Sequence, residues 1–457
     1  MLTCRYLTPL LAAVLVAQTA CLSDYTDNED NALLGLLIAA SLTAGPFTAA
    51  RVSRTSAQSV PGATTTALAF DQLDFDTNNL TDGEASGGLS TPADGTYLVS
   101  GGVDFNTNAT GTRSLQFTAP TAVAGGQITD SGGPTAHSLG VLQTLAANTT
   151  VGAQTVQDSG AALDTMTDPS THLALVRMDR AAVSSAFVRK TTLQAIPDAV
   201  LTSVTFDSAD YDTAGYFNAA QPDRLTIPEA GVYLVVANSE LEVAGVAGAR
   251  GVELLVNGTT AIARDVRTTL APSFGLHGVH ALYSFAAGDT VALRYFQDSG
   301  APRNLQTRTT LAIARLDASV SSARAVLQRR ITSGLAVAVS NADTLIDMSV
   351  LEQTDAAYTI AGSNSTAINQ SGLYLTIASL QFATNAISRR RIDLLVNGTR
   401  VVQVLRAAIA SDNGTLNLMH MQRFNAGDTL QVRGNQSSGG SLTLQAEGSF
   451  LQMIKLD

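Results

Sequence analysis

Histidine is the side chain best suited to bind a metal or transfer protons near neutral pH, and this sequence contains five. They are His137, His172, His277, His280 and His420. His277 and His280 lie three residues apart in a region whose pattern predicts a strand, so their side chains point to opposite faces and cannot chelate one ion. Because no pair has the spacing of metal ligands, we interpret the five as solvated or packed imidazoles and predict neither a metal site nor a cofactor.

Acidic side chains occur in a repeated turn motif. Gln-Asp-Ser-Gly stands at residues 157–160 and 297–300, and Gln-Ser-Ser-Gly stands at residues 436–439. A hard cation such as Ca²⁺ needs roughly six to eight oxygen ligands. Ser437 replaces the aspartate in the third copy, so a turn is the favoured interpretation. The sequence also lacks Gly-x-Ser-x-Gly, His-Glu-x-x-His and a phosphate-binding glycine loop, and no pair of carboxylates suggests a carbohydrate-active site. We predict that the protein is not an enzyme.

The densest basic run is three arginines at residues 389–391, followed by a carboxylate at Asp393. The 457-residue chain has a net charge of −11 and a pI near 4.9, which disfavours binding to nucleic acid or to anionic lipid. We interpret the basic run as a solvated strand edge that prevents stray strand pairing.

The N-terminus is typical of an export signal over residues 1–20, with a positive charge at Arg5 and a short apolar stretch at residues 10–17. Residues 18–21, Gln-Thr-Ala-Cys, resemble the lipobox of bacterial lipoprotein signals, although Gln18 stands where that family usually has leucine. The resemblance implies that Cys21 is lipidated and becomes the mature N-terminus. The only other cysteine, Cys4, lies inside the signal. An ordinary secretory signal with an incidental cysteine is the alternative.

Residues 21–49 are then expected to form a lipid-anchored acidic tether that ends in a short apolar segment, which is too short to span a bilayer. We therefore predict an exported protein that is anchored at the bacterial outer membrane or cell surface, with secretion as the alternative. Its contact with the membrane would be through the lipid alone.

The rest of the chain consists of one unit that occurs three times. Gly-x-Tyr opens an apolar run at residues 95–97, 231–233 and 372–374. Gln157, Gln297 and Gln436 follow one another at intervals of 140 and 139 residues. An apolar segment ends each unit, at residues 173–179, 311–317 and 451–457. This period is far longer than the ~20–50 residues of a solenoid repeat. It predicts three tandem domains at residues 50–180, 181–318 and 319–457.

The pattern within a unit is that of β-strands. Residues 290–295 alternate, which places Val291, Leu293 and Tyr295 on one face. Asn-Gly at residues 257–258 and 397–398 separates two such runs and predicts a hairpin. Gly-Asp-Thr at residues 288–290 and 427–429 predicts turns that lead into strands. The first unit is degenerate at both places. Many short strands without a helical period predict an all-β antiparallel sandwich or jelly roll.

Together, these motifs resemble the complement-C1q and tumour-necrosis-factor superfamily. The residues that carry the resemblance are the Gly-x-Tyr start, Leu-Leu-Val-Asn-Gly at residues 254–258 and 394–398, Ala-Gly-Asp-Thr and the apolar closing strand. The resemblance spans roughly residues 50–457 and is weakest in the first unit. It implies jelly rolls whose first and last strands are neighbours and which pack in threes around an axis.

Two features of the residues favour the same packing. The closing run at residues 450–454 is apolar on both faces, so a neighbour is expected to cover it. Only about ten residues separate the end of the first unit from the next strand-like run, which keeps successive domains side by side. We predict an intramolecular pseudo-trimer of the three domains. Three separate domains on a string and three associating chains are the alternatives.

These inferences predict a non-enzymatic surface lipoprotein whose jelly rolls present loops to a protein or glycan ligand and do not bind nucleic acid. A structural component of the envelope or of an extracellular fibre is the alternative function. Folds do not determine ligands, so the sequence does not identify the ligand or the residues that bind it.

Overall fold

The computed structural model of the chain describes residues 48–81, 87–108, 110–118, 133–178, 184–242, 247–269, 275–316, 326–332, 334–337, 341–385, 389–407 and 414–457. The signal at residues 1–20, the lipidation site Cys21 and all but the last residues of the tether lie outside the described residues, and they stay predictions. No helix in the described part of the chain is long and apolar enough to cross a membrane.

The described strands divide among the three sequence units, which we call repeats 1, 2 and 3. The strands of repeat 1 are β1 Ala49–Ser53, β2 Ser59–Val60, β3 Thr66–Ala67, β4 Gln72–Asp76, β5 Gly88–Ser90, β6 Gly95–Asn108, β7 Arg113–Thr118, β8 Gly133–Leu145, β9 Thr150–Gln157, β10 Leu163–Asp164 and β11 His172–Arg177. Those of repeat 2 are β12 Ser185–Arg189, β13 Gln194–Ile196, β14 Thr202–Ser203, β15 Ser208–Asp212, β16 Leu225–Thr226, β17 Gly231–Leu241, β18 Gly248–Val256, β19 Thr260–Thr269, β20 Gly275–Phe285, β21 Thr290–Gln297, β22 Arg303–Leu305 and β23 Thr310–Arg315.

Repeat 3 contains the remaining strands and one short 3-10 helix. The strands are β24 Val326–Arg330, β25 Ala336–Val337, β26 Thr344–Leu345, β27 Val350–Gln353, β28 Tyr358–Ile360, β29 Thr366–Ile368, β30 Gly372–Gln381, β31 Arg389–Val396, β32 Thr399–Ala407, β33 Thr415–Phe424, β34 Thr429–Gln436, β35 Leu442–Thr443 and β36 Phe450–Lys455. The 3-10 helix is Ala446–Gly448. The described residues contain no α-helix.

In each repeat the first strand lies beside the last. β1 pairs antiparallel with β11, β12 with β23, and β24 with β36. The sheets around these pairs have the orders β4-β1-β11-β6-β8, β15-β12-β23-β17-β20 and β27-β24-β36-β30-β33. We call them the inner sheets. Their order confirms that the first and last strands of each unit are neighbours.

A second sheet, the outer sheet, faces the inner sheet in each repeat. Its central strand is β9, β21 or β34, which pairs with β7, β18 or β31 respectively. The hairpin strands β19 and β32 extend the outer sheets of repeats 2 and 3. Two antiparallel sheets with this strand order form a jelly roll, so the predicted all-β fold class is confirmed. The alternation predicted for β21 is also confirmed, since Val291, Leu293 and Tyr295 are all fully buried.

One sequence interpretation is wrong. The arginines at residues 389–391 do not lie on a strand edge, because β31 pairs with β32 on one side and with β34 on the other. Arg390 is buried, while Arg391 forms ion pairs with Asp343 and, at 3.0 Å, with Asp393. Three consecutive charged residues suggest an exposed strand, but alternate residues of a strand point to opposite faces, so the run does not reveal that β31 lies in the interior of its sheet.

The tyrosine of each Gly-x-Tyr motif has the same role in all three repeats. Tyr97, Tyr233 and Tyr374 are fully buried in the cores. Each hydroxyl donates to the carbonyl oxygen four residues earlier, at 2.8, 2.7 and 2.7 Å respectively. The ring therefore packs in the sandwich while its hydroxyl ties down the turn before the strand.

The repeated glutamine is the centre of its turn. Gln297 is fully buried, and its Oε1 accepts from the backbone N–H of Ser299 at 2.9 Å and from the Ser299 hydroxyl at 2.5 Å. Its Nε2 donates to the carbonyls of Ile196 and Ala301. Gln157 and Gln436 bind their turns in the same way. The residue that follows the glutamine makes a separate bond: Asp298 accepts from the backbone N–H of Ala249, and Ser437 accepts from that of Arg389 at 3.3 Å, so serine can replace aspartate there.

The predicted Asn-Gly hairpins are confirmed. Asn257 and Gly258 join β18 to β19 with φ angles of 51° and 72°, and residues 397–398 join β31 to β32 with 52° and 78°. Only residues that tolerate positive φ fit such a turn. Asn257 also donates to Asp289 at 2.8 Å, which connects the hairpin to the Gly-Asp-Thr turn. In repeat 1, Asn148 takes the place of the glycine of the Gly-Asp-Thr turn, with a φ of 60°.

Apolar side chains of all three inner sheets belong to one buried cluster, which includes Leu142 of repeat 1, Leu234 of repeat 2 and Met421 of repeat 3. The closing strand of repeat 3 is buried from Phe450 to Ile454. Its only polar residue in that run, Gln452, accepts a hydrogen bond at 2.8 Å from the backbone N–H of Leu282 in repeat 2. Repeat 2 therefore covers the outside of this strand.

Candidate functional site: a groove between repeats 2 and 3

Two adjoining cavities lie where repeat 2 contacts repeat 3. The first, of about 490 Å³, is formed by the start of β19, the end of β20, the edge strand β27 and the 3-10 helix. We call it the polar cavity. The second, of about 340 Å³, lies over β18 and the middle of β19, and we call it the apolar cavity. Both volumes are in the range of small-molecule and side-chain binding sites. Together they form what we call the inter-repeat groove.

An ion pair between the repeats divides the groove. Arg264 on β19 lines the apolar cavity and donates to Glu447 of the 3-10 helix, which lines the polar cavity. Arg264 also binds Glu253 at 2.9 Å, and Glu253 accepts a second ion pair from Arg294. Glu253 is almost fully buried, and the two arginines balance the negative charge of its carboxylate, which water does not reach.

Hydrogen-bonding side chains surround the polar cavity. Arg330 forms an ion pair with Glu352 at 2.7 Å, and its guanidinium lies 5.6 Å from the ring centre of Phe450. Across the boundary, the hydroxyl of Ser284 in repeat 2 donates to Gln353 in repeat 3 at 2.7 Å. These contacts hold donors and acceptors from both repeats around one opening. Such an arrangement suits a polar ligand.

Tyr283 supplies the aromatic surface of the polar cavity. Its ring is half-buried and packs edge-on against Phe285 with ring centres 4.7 Å apart. Burial raises the pKa of the Tyr283 hydroxyl, with smaller contributions from Asp289 and Glu352. The phenol is therefore neutral at physiological pH and is able to both donate and accept hydrogen bonds. A neutral phenol on a partly exposed ring is a common contact surface for protein and glycan ligands.

The apolar cavity has a different surface. Leu201, Val266 and Phe296 line it, and Gln381 of repeat 3 contributes a polar group. Leu201 is 41% exposed, and its chain neighbour Val200 is exposed as well. Apolar surface that remains accessible beside charged groups is a frequent feature of binding sites. Both halves of the groove therefore present apolar side chains beside polar and charged ones.

The lining of the groove offers paired charges, amides and a phenol. Its described lining residues include no histidine, cysteine or lysine. Its carboxylates are committed to arginines: Glu253 to Arg264 and Arg294, Glu352 to Arg330, and Glu447 to Arg264. Paired charges, amides and a phenol bind and orient a partner through hydrogen bonds.

The histidines lie elsewhere, and all five are buried. His277 sits in repeat 2, 3.2 Å from Asp265 and edge-on to Tyr295. His172 and His420 come from different repeats, and their ring centres are 5.5 Å apart. Among the described residues, no three His, Cys, Asp or Glu side chains lie together as metal ligands. Of the two possibilities that the sequence left open, solvated or packed imidazoles, the structure shows packed imidazoles for all five.

Sequence reasoning did not find the residues of the groove. Tyr283, Gln353 and Glu447 stand far apart in the chain and carry no motif. Only the docking of repeat 3 on repeat 2 brings them together. The one signal that pointed to a covered surface was the two-sided apolar closing strand. Cys21, the only residue assigned a role from the sequence, lies outside the described residues.

Comparisons with known proteins give structural likenesses alone. No family model matches the chain, and no curated protein matches it. Among solved structures, it is similar to GITRL from bushbaby, with 13% identity over 29% of this chain and 94% of that one and a TM-score of 0.20. It is also similar to the tumour necrosis factor Eiger from S. frugiperda, with 16% identity, coverage of 29% and 92%, and a TM-score of 0.25. The globular domain of zebrafish complement 1qA protein has 15% identity, coverage of 29% and 94%, and a TM-score of 0.22.

Proposed function

We propose that this protein is an exported, non-enzymatic binding module, lipid-anchored through Cys21 at the bacterial cell surface. Its three jelly rolls act as an intramolecular pseudo-trimer that presents the inter-repeat groove to a protein or glycan ligand. The observation that carries the proposal is the groove itself, in which two cavities lined by both polar and apolar side chains lie at one boundary between repeats.

Contacts between every pair of repeats support the pseudo-trimer. Repeats 1 and 2 meet where Asn238 donates to the carbonyl of Gly140 at 3.3 Å. Repeats 2 and 3 meet where Asn417 donates to the carbonyl of Arg264 at 3.0 Å. Repeats 3 and 1 meet along β32 and β8, where Leu405 pairs with residue 136. Three pairwise contacts among three domains close a ring, whereas domains on a string would have two.

The position of the cysteine supports the anchor. After removal of residues 1–20, Cys21 would be the first residue and the sole thiol of the protein. An exported chain keeps few free thiols unless they are used. Replacement of Cys21 by serine should release the protein from the membrane fraction. Unchanged membrane retention would refute lipid anchoring while leaving the binding proposal intact.

The groove is tested by a matched pair of variants. Arg330–Glu352 in repeat 3 and Arg189–Asp210 in repeat 2 are equivalent ion pairs, each made by the last residue of the repeat's first strand. Glu352 lines the groove, whereas Asp210 does not line either cavity. Glu352→Ala should therefore weaken ligand binding while Asp210→Ala should not.

The assay begins with the full chain on a glycan array and on a panel of purified extracellular proteins. For any ligand found, we expect Tyr283→Ala and Glu352→Ala each to reduce affinity by about tenfold, the effect of losing roughly 1.4 kcal/mol. Equal affinity for Glu352→Ala and Asp210→Ala would refute the groove as the site. Absence of any ligand together with concentration-dependent polymers in light scattering would favour a structural role in an envelope or fibre.

A further inference from the structure

The boundary between repeats 1 and 3 differs from the other two because no linker joins these repeats directly. The chain runs from repeat 1 to repeat 2 and then to repeat 3, so only non-covalent contacts hold this boundary together. Arg400 binds Asp168 at 2.7 Å, and Gln403 donates to Asp104. The backbone N–H of Met419 donates to the hydroxyl of Ser138 at 3.2 Å. We call this set of contacts, with the histidine pair His172–His420, the seam.

The two imidazoles of the seam meet away from water. His172 on β11 and His420 on β33 are both 0% exposed, and their rings are nearly perpendicular at 81°. Nδ1 of His172 lies 2.9 Å from the carbonyl oxygen of Ser170, and Nε2 of His420 lies 3.0 Å from Oε1 of Gln422. Because both partners are acceptors, each of these ring nitrogens is assigned as the N–H donor.

The other nitrogen of each ring has no acceptor for a second proton. Nε2 of His172 and Nδ1 of His420 have no hydrogen-bond partner among the described residues. The charged group that faces both rings is Arg51 on β1, which forms an ion pair with Asp74 on β4. Burial and the charge of Arg51 lower the pKa of His172 to about 3, and the same causes, with His172 itself, hold the pKa of His420 well below its usual value.

We propose that the seam is an acid-operated latch, closed while His172 and His420 are neutral and released when they take up protons. The physical reason is the arrangement of the two rings: a second proton on either would be buried, without an acceptor, beside another ring and an arginine. Separation of repeats 1 and 3 would expose both rings to water, where they are protonated at their ordinary pKa of about 6.5. Acid therefore favours the open seam.

A buried carboxyl in the same seam works in the opposite direction. Asp104 is 0% exposed, and burial together with the neighbouring charge of Asp168 raises its pKa to about 8, against smaller opposing contributions from Gln403 and Arg400. It is protonated when the seam is closed and ionises when the seam opens. Opening at neutral pH is therefore assisted by Asp104, and acid removes that assistance.

The remaining histidines face other groups. His137 is buried near Arg267, Arg113 and Arg406, and burial with these charges lowers its pKa to about 3. His280 of repeat 2 binds the backbone of Leu418 in repeat 3, and burial lowers its pKa to about 4. Protonation of His137 and His280 in acid therefore also weakens the packing around them. However, repeats 2 and 3 are joined through the chain, so their high effective concentration keeps them together while the seam opens.

The size of the response follows from proton linkage. Each histidine favours opening by a factor of about 30 at pH 5 relative to high pH, so the pair contributes several hundredfold between pH 7 and pH 5. Over the same interval Asp104 favours closing by about 100-fold. From these three groups alone the open population rises by about tenfold at pH 5 and about 100-fold at pH 4, and His137, which faces Arg406 of repeat 3, adds to the rise. The seam should be tightest near pH 6.5, where the two effects balance.

The experiment measures hydrogen–deuterium exchange of the full chain in detergent at pH 7, 5 and 4, with rates corrected for the intrinsic effect of pH. Peptides covering β8 and β33 report on the seam, because these strands contribute the backbone contacts between Ala136 and Leu405 and between Met419 and Ser138, and the outer-sheet strand β21 is the internal control. Exchange of the seam peptides should rise as stated while β21 stays protected. Asp104→Asn should increase the rise at pH 5 to several hundredfold, because the opposing group is lost.

Two double variants test whether the response depends on the histidines and on the opening of the seam. His172→Gln with His420→Gln keeps neutral polar groups and should reverse the response between pH 7 and pH 5, because Asp104 then favours closing without opposition from this pair. Ser138→Cys with Met419→Cys should lock the seam when oxidised and restore the acid response when reduced, with the same molecule as its own control. An unchanged response in the double glutamine variant or in the oxidised lock would overturn the latch. Equal exchange in β21 and the seam would also overturn it, since that shows general unfolding. Seam peptides already unprotected at pH 7 would refute the packing of repeats 1 and 3 itself.

Discussion

Gln297 should be among the most costly single residues to replace, although it stands in a surface turn motif. Its side-chain amide makes four hydrogen bonds: it accepts from the N–H and hydroxyl of Ser299 and donates to the carbonyls of Ile196 and Ala301. Gln297→Met keeps the length of the side chain and removes all four bonds. It also leaves the backbone N–H of Ser299, which is 8% exposed, without its acceptor, while the hydroxyl keeps the bond that it accepts from Nε of Arg303 at 3.1 Å.

The magnitude follows from the number of bonds. A hydrogen bond in a folded protein contributes about 1 kcal/mol net, and a buried group left without its partner costs more, about 1–3 kcal/mol. Removal of the Gln297 amide should therefore lower the free energy of unfolding by about 3–5 kcal/mol. Tyr233→Phe, at an equally buried residue, removes the 2.7 Å hydrogen bond to the carbonyl of Glu229 and the hydrogen bond with the Tyr216 hydroxyl, and it should cost about 1–2 kcal/mol.

Urea unfolding followed by far-ultraviolet circular dichroism compares the two variants, because the chain contains no tryptophan for fluorescence. The equivalent residues Gln157 and Gln436 provide repeats of the same measurement within one protein. A cost for Gln297→Met no greater than that for Tyr233→Phe would refute the assignment of the glutamine as the centre of its turn. A Ca²⁺-dependent shift that Asp298→Ala abolishes would instead support a cation at the loop tip.

Two more predictions concern local geometry and charge. Gly258→Ala should destabilise the chain by about 1 kcal/mol because φ is 72° at that position. Gly440→Ala is the control and should be neutral, because a Cβ meets no other atom at either position and Gly440 does not have a positive φ. Equal losses of stability in calorimetry of the two variants would contradict this prediction. Burial alone would raise the pKa of Asp207, but hydrogen bonds from Thr192 and Thr191 lower it to about 2. The carboxylate therefore stabilises the fold above pH 4, and this contribution should disappear as pH falls from about 4 to 2. Asp207→Asn should flatten that part of the acid-unfolding profile, and an unchanged profile would contradict the assignment.

Much of each jelly roll follows from local residue patterns. Asn257-Gly258 predicts its hairpin because few residues accept positive φ, and the alternation of residues 290–295 predicts which side chains face the core. The role of Gln297 was open to two interpretations, since a cation-binding loop and a turn use similar residues. The arginine run was assigned wrongly because the strand that carries it is interior to its sheet, and strand order is not encoded in a local window.

The sequence by itself determined the number of repeated units, their all-β character and the turns that join their strands, because these depend on residue spacing of two and on backbone preferences within a few residues. Only the tertiary structure decided which distant side chains meet. The groove brings Tyr283 to Glu352 and Arg264 to Glu447, and the seam brings His172 to His420, across separations of many residues in the chain. Such contacts arise from the docking of whole sheets, whose buried apolar faces determine the arrangement and leave the polar partners to meet where the surfaces touch.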